Sequence, residues 1–110
     1  MQKKSLTALA REQLKNAVRA SSGRSAETVY GGHEHTLRQT LITLVAGRGL
    51  ADHDNPGEAT VYVLHGHVRL DWDTVSWEGL PGDLLTVPNG THALQAVDDS
   101  TVLLTVAKLP

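Results

Sequence analysis

The chain has 110 residues and 11.8 kDa, with 10 basic and 12 acidic residues and a pI near 6.3. That length suits one domain, and the absence of cysteine excludes disulfides, thiolate metal sites and a cysteine nucleophile. The balanced charge and an aromatic content of 4%, with no Phe, argue against a nucleic-acid partner.

No apolar run approaches the ~20 residues that span a bilayer, so no membrane partner is expected. Arg11 and Glu12 interrupt the stretch after Lys3 and Lys4 that would otherwise resemble a signal peptide. A soluble, cytoplasmic protein is the expectation. Asn89-Gly90-Thr91 matches a glycosylation acceptor but reads as a turn.

Residues 5 to 20 predict an amphipathic helix, with Leu6, Leu9, Ala10, Leu14, Ala17 and Val18 near one face and Ser5 as its N-cap. Ser21-Ser22-Gly23 ends it. Residues 1–23 are thus read as an N-terminal helical segment and 24–110 as a β domain.

From Thr28 on, β-branched and apolar runs alternate with Gly, Pro, Asn and Asp. Strands are predicted at Thr28–Tyr30, Thr36–Val45, Thr60–Leu64, His67–Trp72, Val75–Glu78, Leu84–Val87, His92–Ala96 and Thr101–Ala107. Many short strands at even spacing predict an all-β antiparallel sandwich or barrel. Trp72 and Trp77 flank a short turn and suit a cross-strand pair that stabilises the hairpin; a ligand-stacking platform is the alternative.

The six histidines invite chemistry when two segments are read together. The first runs from Gly47 through His53-Asp54-Asn55 and Ala59 to Gly66. The second runs from Gly82 through Pro88-Asn89-Gly90-Thr91 to His92 and Ala96. In order and interval they resemble the two signature motifs of the cupin family, over roughly residues 28 to 108. The resemblance implies a cupin-type double-stranded β-helix, a jelly-roll barrel with a short N-terminal helix. It also implies a metal held by three histidines and a glutamate inside the barrel, with Fe, Mn, Ni or Zn as the suitable ions.

This chain departs from that ligand set. His53 and His92 stand at the first and third histidine positions, Asn55 at the second, Ala59 at the glutamate and Ala96 at a final asparagine. Two imidazoles and an amide make a poor transition-metal site. Glu58 is one residue away from the glutamate position and would need a bulge after Pro56-Gly57 to turn inward. His33 and His35 share one side of a strand start, where one of them could enter the barrel mouth or both stay solvated. His65 and His67 straddle the Gly66 turn and read as solvent-facing. His92 reads equally well as a ligand and as a hydrogen-bonded core histidine.

Arg38 and Gln39 interrupt an apolar strand, so one of them faces inward. An inward Arg38 would bind a ligand anion, pair with Glu58, Asp52 or Asp54, or reach solvent.

The favoured reading is a small-molecule binding or sensing cupin with an incomplete metal site, its pocket lined by His53, Asn55, His92, Arg38, Val61, Val63 and Leu85. The alternative is a metal-dependent oxygenase or isomerase in which His53 and His92 bind the ion with Glu58 or His35. The third is an inert or regulatory protein. A homodimer is expected in each case, because family resemblance points to one and because sheet edges and the helix stripe need covering. No catalytic residue is assigned, and no serine-nucleophile or phosphate-loop motif is present.

Overall fold

The computed structural model describes residues 1–54 and 57–108; residues 51–54 are described by their backbone. Among the described residues, helix α1 (Leu6–Arg19) is followed by strands β1 (Arg24–Tyr30), β2 (Leu37–Leu44), β3 (Gly49–Asp54), β4 (Gly57–His65), β5 (Val68–Trp72), β6 (Val75–Gly79), β7 (Leu84–Thr86), β8 (Thr91–Ala96) and β9 (Ser100–Lys108). They form two antiparallel sheets, ordered β1-β2-β9-β4-β7 and β3-β8-β5-β6.

The core fills the space between the sheets. Alternation along each strand sends Ile42 and Leu44, Val61 and Val63, Val68 and Leu70, and Leu94 and Ala96 inward. The five-stranded sheet has a second buried layer on its outer face. Leu41 and Thr43 occupy the alternate positions of β2 and are fully buried where α1 packs on β1 and β2. Thr43 and Thr101 exchange a hydroxyl hydrogen bond there at 3.1 Å.

Ser5 caps α1, its Oγ accepting from the Ala8 N–H at 3.2 Å. The buried face of the helix is rotated from the predicted one. Ala10, Gln13 and Ala17 are buried, whereas Val18 is exposed. The small alanines let the helix approach the sheet closely. Gln13 is accommodated because its amide bonds both Ser25 and Glu27 of β1.

Every predicted strand is present, extended by a residue or more in most cases. Strand β3 is the addition. Gly49 and Asp54 read locally as turn material, and it is pairing with β8 that makes this segment a strand. The turn glycines behave as the motifs require: Gly47, Gly66, Gly82 and Gly90 all have positive φ, between 84° and 95°. At Gly66 an added Cβ would lie 2.3 Å from the Asp99 carbonyl oxygen.

Candidate functional site

The candidate site lies at one end of the barrel, on the inner face of the four-stranded sheet. Register places His53 of β3 opposite His92 of β8, His92 opposite Trp72 of β5, and Trp72 opposite Val75 of β6. A bulge sets the first of these pairings. Leu50 pairs with Leu94 and His53 with His92, so Ala51 and Asp52 together oppose Ala93. Without that extra residue, Asp52 would stand opposite His92.

His92 is 6% exposed. Its Nδ1 lies 3.1 Å from the carbonyl oxygen of Gly90. A carbonyl only accepts, so Nδ1 is the donor in this hydrogen bond. The glycine at position 90 has φ 95°, a turn that aims this carbonyl back at the ring.

His92 lines an otherwise apolar interior cavity with Ile42, Leu50, Val61, Leu70 and Leu104 among its walls. The void is about 20 Å³. A single water needs ~10–15 Å³ by the same measure, so the interior is nearly filled.

The remaining sequence-predicted residues are distributed as follows. Val61 lines the cavity, whereas Val63 lies in the packed core, fully buried. Leu85 packs against the core. Arg38 has the inward phase of Ile42 and Leu44 but sits at the rim, two positions beyond Thr40, and is exposed. Its partner in register, Val106, is buried. Gln39 takes the outward phase and donates to Thr105 Oγ1 at 3.2 Å. Asn55 lies outside the described residues.

The bulge required to turn Glu58 inward is absent. The pairing of β4 with β9 runs unbroken from Gly57↔Lys108 to Val63↔Val102, and Glu58 is exposed while Ala59 packs on the core. Regular alternation therefore holds Glu58 on the outer side. His35 is exposed on the loop before β2, edge-on to Tyr30 with ring centroids 5.4 Å apart and 3.4 Å from Glu34. His33 and His65 are exposed as well. His67 is tied to the outer face of the sheet, its Nε2 3.0 Å from Glu78 Oε1.

Trp72 and Trp77 are diagonal rather than directly paired: Leu70 opposes Trp77 and Trp72 opposes Val75. The turn between the strands consists of Asp73 and Thr74, with Asp73 at φ 54°, the sign that a two-residue hairpin requires at its first position. Both tryptophans share the inner face with Leu70 and, with Val75 and Pro88, line a narrow void of about 10 Å³. The period-2 spacing of Leu70 and Trp72, and of His92 and Leu94, is the signal that places these residues on one face.

No protein-family model matches the sequence, and no curated protein does. Solved structures do. A conserved protein of unknown function from Streptococcus pyogenes aligns with a TM-score of 0.73 at 27% identity, over 83% of this chain and 79% of that one. An RmlC-like cupin from Desulfovibrio desulfuricans aligns with a TM-score of 0.67 at 27% identity, over 76% and 81%. The chain has the fold of a small cupin domain. The likeness extends to a salicylate 1,2-dioxygenase from Pseudaminobacter salicylatoxidans, with a TM-score of 0.75 at 18% identity. That match covers 91% of this cupin but 33% of the dioxygenase, and it speaks to fold alone.

The cupin fold invites a metal, and the described side chains do not complete a site for one; those of residues 51–56 lie outside them. Ala59 occupies the glutamate position and offers no donor, and the neighbouring Glu58 is on the wrong side of β4. Among the described residues no group of three or more His, Cys, Asp or Glu is arranged to hold an ion.

Proposed function

We propose that this cupin binds a small, largely apolar molecule at the mouth of its barrel, with His92 as the polar contact, and that it does so without a resident metal. The observation that carries this reading is a buried imidazole, fixed by the Gly90 carbonyl, in an otherwise apolar wall. Ligand pockets have that character: apolar lining with a few placed polar groups that set orientation. The interior void holds about one water, so most of a ligand would sit at the rim. Arg38 stands at that rim with the inward phase and would favour a ligand bearing negative charge. Fold does not choose among activities, because one scaffold hosts many.

The test is a thermal-shift screen of small neutral and acidic compounds on wild type, His92→Ala and His67→Ala. The expected hits stabilise wild type and His67→Ala and lose their effect in His92→Ala. Hits that stabilise all three proteins equally would overturn the reading. So would stoichiometric Fe, Mn, Ni or Zn in elemental analysis of the untagged protein that disappears in His53→Ala and His92→Ala; that result would establish the metal-dependent alternative.

The same reading includes a homodimer. Tyr62 of β4 and Leu84 of β7 are paired in register and exposed, and Val18 of α1 is exposed as well. A second copy covering such apolar groups would remove them from water. Analytical ultracentrifugation at micromolar concentration is expected to give twice 11.8 kDa, and a single monomeric species would refute it.

A further inference from the structure

We propose that Ser22 and Lys4 guard the open edge of β1 against a second copy of the same strand, so that two molecules of this chain do not join edge to edge through β1. This edge is separate from the ligand site at His92. It is also the opposite edge of the sheet from β7, where Tyr62 and Leu84 lie.

Among the described residues four strands lie at sheet edges, β1 and β7 in one sheet and β3 and β6 in the other. β7 has three residues, β6 has five, and β3 has six and carries a bulge. β1 is the longest, at seven. An edge strand presents a row of N–H and C=O groups, and a long one is a template for another strand.

The direction of those groups follows from the ladder with β2. The Val45 N–H donates to the Gly23 carbonyl at 2.9 Å. In an antiparallel pair, residues that exchange bonds with the partner alternate with residues whose groups point away. Ser25 and Glu27 therefore bond β2, and Arg24, Ala26 and Thr28 turn their backbone groups to the free edge. That set is symmetric about Ala26. A second β1 laid antiparallel would bring Ala26 opposite Ala26 and Arg24 opposite Thr28.

Both ends of the edge are occupied from within the chain. At the start, Ser22 Oγ accepts from the Arg24 N–H at 3.3 Å and donates to the Arg24 carbonyl at 3.5 Å. At the far end a register shift sets Val29 out of the ladder, and its carbonyl accepts from Lys4 Nζ at 2.8 Å. Gln2 and Lys4 line one concavity with Thr28, Val29 and Tyr30, so the segment before α1 lies beside this end of the strand. An incoming strand would have to displace both side chains or bury the charge of Lys4. Between the guards, Ala26 and Thr28 are exposed. Two residues make a short ladder, and even an isolated hairpin is marginal in water.

The first experiment is amide hydrogen exchange on the wild-type protein, resolved by NMR. Ala26 and Thr28 are expected to exchange at least about tenfold faster than Ser25 and Glu27. Slow exchange at Ala26 and Thr28 would mean that the edge is already paired, and would overturn the proposal. The second is sedimentation velocity of wild type, Lys4→Met, Ser22→Ala and the double variant at matched micromolar concentrations. The double variant is expected to form a species of twice the wild-type mass. Adding Thr28→Pro removes an outward N–H and no bond to β2, and is expected to abolish that species. Circular dichroism confirms that each variant folds; all three substituted residues are exposed. A double variant that sediments as wild type does at every concentration would overturn the proposal. So would association that survives Thr28→Pro, because it would use another surface.

Discussion

Trp72 on β5 stands directly opposite His92 on β8. The pair joins two environments: a buried imidazole at 6% exposure and an indole at 41%. Their stability contributions should differ accordingly. His92→Ala removes a buried ring and leaves the Gly90 carbonyl to find another donor, and it is expected to cost about 2 kcal/mol. Trp72→Phe keeps an aromatic ring at a half-open site and should cost less than about 1 kcal/mol. Urea unfolding of the two variants checks the order. A His92→Ala protein as stable as Trp72→Phe would mean that the imidazole is not structurally held.

Ala59 explains why the metal motif reads as incomplete, and replacing it should restore a donor. It packs on the core from the position where the family resemblance places glutamate. Ala59→Glu would put a carboxylate on the inner side of β4, at the end of the barrel that holds His92. Burying it without a partner is expected to lower the melting temperature. Added Zn(II) or Mn(II) should then raise the melting temperature of Ala59→Glu and leave that of wild type unchanged. Differential scanning calorimetry with and without metal reads both. An equal metal-dependent rise in wild type would show that a complete donor set exists already.

Gly66 and Gly47 separate two effects that glycine substitutions usually mix. Both have positive φ, 90° and 84°, so alanine is strained at either. At Gly66 the new Cβ would also meet the Asp99 carbonyl oxygen at 2.3 Å and Ser100 Oγ at 2.3 Å, whereas at Gly47 nothing lies within 4 Å. Gly47→Ala should cost about 1 kcal/mol and Gly66→Ala clearly more, because backbone must move. Equal losses in chemical denaturation would mean that the turn after β4 yields freely.

The sequence carried the fold further than the site, and particular residues show why. Turn glycines such as Gly66 and Gly82 and the alternation of Leu70 with Trp72 are local signals. They placed nearly every strand and supported the jelly-roll resemblance. β3 was illegible because Gly49 and Asp54 look like turn material until β8 pairs with them. The bulge at Ala51 and Asp52 is likewise a property of that pairing, and the alignment of His53 with His92 depends on it. The buried helix face departs from the periodic one for a similar reason. Gln13 counts as polar in a periodicity argument, yet it is buried because Ser25 and Glu27 satisfy its amide. Arg38 shows the reverse case. Alternation says that one of Arg38 and Gln39 faces inward; which one, and how exposed it is, depends on the register of β2 and on where the strand ends relative to the rim.

Asp71 gives a pH prediction on the outer face of the same sheet. The Ser76 hydroxyl donates to its Oδ1 at 2.6 Å and holds its pKa below the usual 3.8. The hydrogen bond and the charge of Arg69 act in the same direction, against a smaller opposing effect of burial than the serine provides. Arg69 Nε lies 3.0 Å from Oδ1, with side-chain exposures of 42% and 29%, so solvent screens the pair and its contribution is small. A carboxylate whose folded pKa is lowered stabilises the fold fully above its unfolded pKa. That contribution fades as pH falls through the lower folded value. Ser76→Ala removes the leading cause and should cost about 1 kcal/mol at neutral pH. The difference from wild type should then shrink as pH drops below about 3.8, where Asp71 takes up its proton in the unfolded chain. Urea titrations of both proteins at neutral and acid pH measure it. A gap that stays constant down to the lowest pH at which both fold would mean that the serine acts through packing and not through the charge on Asp71.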